Sequence, residues 1–201
     1  MDSITILGHS VPIDVESLDI SYCDLTELPH EITQLRSLKY LNCSGNPLQY
    51  LNITNSITEL KCSGCKISEI RELPSSLRIL DISMNNLHEL PDAIASLPHL
   101  EYLDCSDNYI EIINNLTCPL IQLNCGSNNI TSIYNLPPSL TSLALHQYYS
   151  FRHSAILDMY KISIRCELLE RLNSIRFRGE RMNLLNGRVE IEGIQLLNLF
   201  N

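Results

Sequence analysis

The sequence predicts an α/β solenoid, in which a parallel β-sheet is assembled from stacked repeats and followed by a mainly helical C-terminal segment. Three observations predict it. Apolar residues recur as a fixed motif with a period near 20 residues, cysteine and asparagine return at the same places inside that motif, and the period stops after Leu145. Regular self-similarity on this scale marks a repeat architecture and takes precedence over an element-by-element reading.

The motif has the form L-x-x-L-x-L-x-x-N/C-x-L. Its first copies are Val15, Leu18, Ile20, Cys23, Leu25 and then Leu38, Leu41, Cys43, Asn46, Leu48. Ile57, Leu60, Cys62, Cys65, Ile67 follow, and then Leu77, Leu80, Ile82, Asn85, Leu87. Two further copies are Leu100, Leu103, Cys105, Asn108, Ile110 and Leu120, Leu123, Cys125, Asn128, Ile130. A seventh, Leu140, Leu143, Leu145, decays where Tyr148 stands in place of the asparagine. Successive copies begin 23, 19, 20, 23, 20 and 20 residues apart. Each Leu-x-Leu segment is a short strand with its apolar side chains inward and the intervening residues outward. One repeat cannot bury its apolar face alone, whereas stacked neighbours bury a continuous core. At the turn, an asparagine side chain satisfies backbone groups that would otherwise be buried without partners.

Three segments result: an N-terminal cap strand over 1–14, the solenoid over 15–147, and a C-terminal cap or docking segment over 148–201. Ile4, Ile6, His9 and Val11 read as a partial N-terminal copy of the repeat.

Over residues 15–145 the chain resembles the leucine-rich-repeat family, which implies a horseshoe with its parallel sheet on the concave face and binding on that face. Leu28-Pro29-His30-Glu31-Ile32-Thr33-Gln34-Leu35 and Leu90-Pro91-Asp92-Ala93-Ile94-Ala95-Ser96-Leu97 resemble the 23-residue intracellular class, whose convex side carries a short helical turn. Leu73-Pro74-Ser75-Ser76-Leu77 and Leu136-Pro137-Pro138-Ser139-Leu140 resemble the shorter form found in bacterial effectors and in repeat proteins of large DNA viruses and amoebae. That resemblance implies a microbial or viral source.

Written out from the pattern, the concave surface has three outward rows. The first is Ser17, Tyr40, Glu59, Ile79, Tyr102, Gln122, Ser142; the second is Asp19, Asn42, Lys61, Asp81, Asp104, Asn124, Ala144. A third row, Ser21, Ser44, Ser63, Ser83, Ser106, Gly126, is nearly all serine. The partner-binding set drawn from this surface is Asp19, Tyr40, Glu59, Lys61, Ile79, Asp81, Met84, Tyr102, Asp104 and Asp107. Tyr40, Ile79 and Tyr102 are costly to leave exposed without use, and an aromatic beside apolar groups and carboxylates has the make-up of an interface anchor. The carboxylates point to a protein partner with a basic patch.

Catalysis is not expected. Asp81 and Asp104, on adjacent strands, form a carboxylate pair, but an open sheet face offers no pocket to desolvate them and no nucleophile converges with them. No cofactor, metal or small-molecule substrate is expected either. Cys62-x-x-Cys65 has the spacing of half a zinc site, but no second ligand pair accompanies it. Cys43, Cys62, Cys105 and Cys125 fill one inward strand position, while Cys23 and Cys65 fill the turn position, so six of the eight cysteines are explained as small buried side chains. Unpaired buried thiols suit a reducing compartment.

Net charge over the 201 residues is −9, with 6 basic and 17 acidic side chains in 1–145 and 8 basic against 6 acidic in the remainder. An acidic body argues against nucleic acid, which needs a basic surface to displace counterions. No run approaches the roughly 18 apolar residues of a membrane span. Met1-Asp2-Ser3 lacks the basic start of a signal peptide, so an intracellular, cytoplasmic location is expected, with the virion as the alternative. The Asn-x-Ser/Thr triplets at Asn42, Asn52, Asn115 and Asn129 then read as coincidences of an asparagine-rich repeat.

Beyond Leu145, Ile156, Tyr160, Ile164, Leu168, Leu172 and Ile175 recur at helical spacing after a candidate N-cap, Ser154. Asn186-Gly187 signals a turn before an alternating strand, Val189-Glu190-Ile191-Glu192. Tyr148, Tyr149 and Phe151 form an aromatic docking cluster at the junction. The expected function is a non-enzymatic protein-interaction module. The alternatives are a structural subunit of a large homo- or hetero-assembly such as a viral capsid, held by the C-terminal segment, and a regulator that recruits or blocks a signalling enzyme.

Overall fold

The computed structural model describes residues 2–130 and 136–144, together with the backbone of 132–134, 163–165, 182–185, 188–191 and 194–196. Seven three-residue strands form one parallel sheet in repeat order: Ser17–Asp19, Tyr40–Asn42, Glu59–Lys61, Ile79–Asp81, Tyr102–Asp104, Gln122–Asn124 and Ser142–Ala144. Leu18, Leu41, Leu60, Leu80, Leu103, Leu123 and Leu143 stand in register at their centres. All seven are buried, as period-2 strand geometry requires of the inward position. The next inward row, Ile20, Cys43, Cys62, Ile82, Cys105 and Cys125, is buried with them, and both rows belong to one continuous core.

A ladder of buried asparagines fastens each turn to the one before it. Asn85 Oδ1 accepts the Ile67 N–H at 3.0 Å, while its Nδ2 donates to the Cys62 carbonyl at 2.8 Å and the Ile82 carbonyl at 3.0 Å. Asn108 and Asn128 repeat this for Leu87 and Ile110, and Asn46 accepts both Cys23 N–H and Leu25 N–H. Cys65 breaks the ladder. Its thiol reaches only the Cys43 and Ser63 carbonyls, at 3.5 and 3.7 Å, and the Leu48 N–H turns instead to the nearby Asn46 carbonyl at 2.8 Å.

The residue before each Asn or Cys lies in the left-handed region: Tyr22 (φ 53), Gly45 (φ 68), Gly64 (φ 64), Met84 (φ 56), Asp107 (φ 54) and Ser127 (φ 51). Six successive repeats thus turn off the strand in one way, and four of them do so with residues that carry a Cβ against the usual steric preference.

On the convex side the two 23-residue repeats carry a 3₁₀ turn, His30–Gln34, and one α-helical turn, Asp92–Ala95. Pro29 and Pro91 precede them, and Ile32 and Ile94 anchor them in the core. The shorter repeats carry strands instead: Tyr50–Asn52 pairs with Glu69–Glu72, and Ile112–Asn114 pairs with Ser132–Tyr134. Rise per residue explains the difference, because a helical turn advances about 1.5 Å per residue and a strand about 3.3 Å. Three extra residues are coiled up to cover the same span.

Two expectations change. Within the segment expected as a cap strand, Ser3–Ile6 and His9–Pro12 form an antiparallel hairpin rather than a single strand or a partial repeat. Leu7 (φ 50) and Gly8 (φ 80) make the two-residue turn whose twist matches an antiparallel pair. Its Ile6 is buried, and Ile4 and Val11 pack against the core, so the hairpin covers the first repeat. In the C-terminal segment the described backbone is strand. Ser163–Arg165 runs parallel to Ser132–Tyr134, within the span expected as helix, and its β-branched Ile164 suits either period. The rest of the expected 154–175 helix lies outside the described residues. Arg188–Ile191 pairs with Met182–Leu185 across Asn186-Gly187 and with Ile194–Leu196, as the turn and alternation predict.

Candidate functional site

The concave face is built by the strand residues that flank each inward leucine. Register brings Tyr40, Glu59, Ile79 and Tyr102 into one row and Asn42, Lys61, Asp81 and Asp104 into the next. Neighbouring members stand one strand spacing apart, about 4.8 Å. Every residue of the expected binding set therefore lies where the repeat pattern places it, with Met84 and Asp107 at the left-handed turn beside the third row.

Exposure differs from expectation. Tyr40, Ile79 and Tyr102 are half-buried, because side chains on strands this close cover one another. Lys61 Nζ lies 5.4 Å from the Tyr40 ring centre and 3.3 Å from Glu59 Oε1. Burial alone would lower the Lys61 pKa, but Glu59, Tyr40 and Asp81 together hold it above its usual value. The large exposed apolar side chains of this surface are Tyr22, at 82% exposure, and Met84, at 60%. Tyr22 is absent from the expected set although it occupies the same turn position as Met84 and Asp107; its place one residue before Cys23 was the available signal.

The carboxylates are partly engaged from within. Asp19, Asp81 and Asp104 each accept two hydrogen bonds at Oδ1, from the N–H and the hydroxyl of the serine two residues on, at 2.6–3.0 Å. The serine row thus orients the aspartate row. Asn42 and Asn124 serve the adjacent strands by donating to Asp19 Oδ2 at 3.0 Å and Asp104 Oδ2 at 2.8 Å. Ser21 and Asn42 together hold the Asp19 carboxyl below the usual carboxylate range. Among the described residues no hydrogen bond reaches Asp81 Oδ2, so Asp81 keeps an acceptor in hand between Lys61 and Asp104. Such a surface can recognise cationic and hydrogen-bonding groups around an apolar strip at Ile79, Tyr102 and Met84.

Comparison with known proteins decides the family. Sequence models of the leucine-rich repeat match residues 14–35 and, as two copies, residues 75–118. The protein of known structure YopM from Yersinia enterocolitica WA-314 superposes with a TM-score of 0.58 at 28% identity, over 77% of this chain and 30% of that one. The chain is a leucine-rich-repeat protein. A second leucine-rich-repeat domain, from APL1B, shares the fold with a TM-score of 0.53 at 20% identity, over 83% of this chain and 61% of that one. Among curated proteins, the adenylate cyclase of Schizosaccharomyces pombe is 38% identical over 105 residues, 45% of this chain and 6% of its own length. Toll-like receptor 2 type-2 of Gallus gallus is 31% identical over 132 residues, 64% of this chain and 16% of its own length. This leucine-rich-repeat chain thus spans less than a fifth of the length of either of these curated relatives.

Within the leucine-rich-repeat solenoid, Cys62 and Cys65 lie in the core with Cys43, and burial raises the thiol pKa of both, that of Cys65 to about 11. Among the described residues no three His, Cys, Asp or Glu side chains converge as metal ligands. The docking cluster Tyr148, Tyr149 and Phe151 lies outside the described residues. Sequence reading also missed a convex groove of about 350 Å³ between the His30–Gln34 turn and the Tyr50–Asn52 strand. Its only trace in the sequence is the change of repeat length from 23 to 19.

Proposed function

We propose that this leucine-rich-repeat chain is a non-enzymatic module that binds a protein partner through its concave face. The observation that carries the reading is the grouping of Ile79, Tyr102 and exposed Met84 beside Asp81 and Asp104, with Asp81 Oδ2 uncommitted. The complementary partner presents a basic patch with an apolar centre. Six of the seven described cysteines are buried and all seven are free, which supports action in a reducing, intracellular compartment. Likeness to YopM supports a microbial source.

A second reading makes the protein a structural subunit of a large assembly such as a viral capsid, anchored by its C-terminal segment. It draws support from the 56 residues that follow the last repeat strand leucine, Leu145, and from the separate antiparallel sheet formed by Met182–Leu185, Arg188–Ile191 and Ile194–Leu196. Affinity capture from the native source with quantitative mass spectrometry separates the two. Loss of one partner with Tyr102→Ala/Asp104→Ala supports the concave interface. Stoichiometric partners that survive that variant and vanish on truncation after Gln147 support the assembly subunit.

A further inference from the structure

The convex face alternates between helical turns and strands, and each change leaves a strand without a neighbour. Tyr50–Asn52 is the first convex strand, and its sheet has two members, the other being Glu69–Glu72. On its opposite side stands the His30–Gln34 turn of the preceding repeat, which cannot continue a ladder. The hydrogen bonds say which backbone groups are used. Ser68 N–H donates to the Gln49 carbonyl at 3.0 Å and Ile53 N–H donates to the Glu72 carbonyl at 3.2 Å. Gln49 and Ile53 therefore face Glu69–Glu72, and by alternation Leu51 does too. The N–H and C=O of Tyr50 and Asn52 point the other way, towards the first repeat.

That side is open. The groove of about 350 Å³ there is walled by Leu28, Pro29 and Ile32 on one side and by Tyr50, Asn52 and Ile53 on the other. Asn55, also in the lining, ties the two walls together by donating to the Ile32 and Leu35 carbonyls at 2.9 and 3.2 Å. Among the described residues no cross-repeat backbone bond reaches Tyr50 or Asn52 from the first repeat. Two donors and two acceptors at strand spacing, set in an apolar trough, match the main chain of an extended peptide.

Charge selects the kind of peptide. Glu69 and Glu72 pair with Tyr50 and Asn52 from the side away from the groove, with a register shift between Leu51 and Asn52, while Glu31 belongs to the turn that forms the other wall and Glu27 precedes that turn. Against these four carboxylates stand Arg36, Arg71 and His30, which lines the groove with Nδ1 3.4 Å from Glu31. Arg71 and Glu69 are committed to each other at 3.1 Å, with the guanidinium 4.0 Å from the Tyr50 ring centre, which leaves Glu27 and Glu72 without an ion-pair partner among the described residues.

We propose that the groove between Leu28–Ile32 and the Tyr50–Asn52 strand is a second binding site, which takes an extended segment of a partner protein as an added β-strand with basic side chains reaching the carboxylates of the elements on either side. The site lies on the convex side, away from the concave surface, and stands or falls independently of it.

The test uses the full chain and a displayed library of random twelve-residue peptides, followed by amide hydrogen exchange and measured affinities with the best synthetic binder. Recovered peptides are expected to carry alternating Lys or Arg and to slow exchange of the Tyr50 and Asn52 amides at least tenfold. N-methylation at alternate peptide positions should abolish binding. Asn52→Pro removes one groove-facing donor at a strand edge, where proline is tolerated, and should weaken binding at least tenfold. Thr33→Trp, which fills the groove from an exposed position, should do the same and guards against misfolding of the proline variant. Tyr102→Ala should leave binding unchanged. The proposal is overturned if the library yields no binder, or if binders leave the Tyr50 and Asn52 amides unprotected. Equal binding to Thr33→Trp, or self-association of the chain that Thr33→Trp abolishes, overturns it as well.

Discussion

The ring of Tyr22 lies over the backbone of Gly45, so closely that a Cβ on that glycine would come within 2.4 Å of Tyr22 Cε1. Both residues occupy the left-handed turn position of their repeats, one strand apart. Gly45 thus does two things: it adopts φ 68 without a steric penalty, and it leaves room for a neighbouring ring. Gly64, at φ 64 in the next repeat, does only the first, since nothing lies within 4 Å of its would-be Cβ. Gly64→Ala is expected to cost about 1–2 kcal/mol from backbone strain alone. Gly45→Ala should cost measurably more, because Tyr22 must swing away. In a Tyr22→Ala background the two substitutions should become equal, as denaturant unfolding of all four variants would show. An equal cost in the presence of Tyr22 would contradict the stacking.

The broken rung at Cys65 makes an asymmetric pair of predictions. Asn85→Ala strips the partner from the Ile67 N–H and from the Cys62 carbonyl, both buried, while the Ile82 carbonyl keeps Asn108 Nδ2 at 3.0 Å. Each abandoned group costs about 1–3 kcal/mol, so unfolding should shift by about 2 kcal/mol or more, a large part of the roughly 5–15 kcal/mol that holds a domain together. Cys65→Asn should go the other way. It offers Leu48 N–H the side-chain acceptor that Leu25, Ile67, Leu87 and Ile110 already have, and should stabilise by about 1 kcal/mol. Destabilisation by Cys65→Asn would show that the third repeat is too tight for the longer side chain.

Thiol labelling reads the same core. Cys23 is exposed, whereas Cys43, Cys62, Cys65, Cys105, Cys118 and Cys125 are buried, with pKa raised chiefly by burial at Cys62, Cys65, Cys105, Cys118 and Cys125. Iodoacetamide at pH 8 should modify Cys23 in the native protein and leave these six until denaturant is added, as peptide mass spectrometry resolves. Rapid native labelling of Cys62 or Cys65 would revive the reactive reading of the Cys-x-x-Cys spacing.

Asp19 links the concave surface to pH. Its folded pKa lies below the ordinary value because Ser21, through its side chain and its backbone, and Asn42 donate to the charged form. A depressed carboxylate pKa contributes stability above the unfolded value of about 3.9, and that contribution is lost as pH falls through the folded value. Carboxyl carbon titration by NMR should place Asp19 below an ordinary aspartate. Ser21→Ala should raise it more than Asn42→Ala does, with the backbone N–H at position 21 still donating. An unchanged titration in Ser21→Ala would remove the serine row from the electrostatics of the face.

The solenoid was legible because its determinants are local and repeated: leucines at fixed spacing give the seven strands, and Leu-Pro before Ile32 and before Ile94 gives the two helical turns. The concave rows were legible for the same reason, since period-2 geometry assigns Asp81 and Tyr102 outward once Leu80 and Leu103 are inward. What escaped depends on neighbours. That Tyr40, Ile79 and Tyr102 are half-buried follows from cross-strand crowding, and the tethering of Asp104 depends on Asn124, twenty residues away. The N-terminal hairpin was hidden because Ile4, Ile6 and Val11 satisfy both a strand and a partial repeat, and only Leu7-Gly8 separates them. Beyond Leu145 no repeat constrains the reading, and the spacing around Ile164 fits a helix although its branched Cβ favours a strand.

Site-specific photo-crosslinking tests the concave interface most directly. A benzophenone side chain would replace Met84 on the concave rim or Glu89 on the exposed flank of the same repeat, and the protein would be irradiated in its native source. A discrete partner adduct at position 84, absent at 89 and lost when Tyr102→Ala/Asp104→Ala is added, is the expected result. An adduct at 89 alone, or one at 84 that survives the double substitution, would place the functional interface elsewhere on the solenoid.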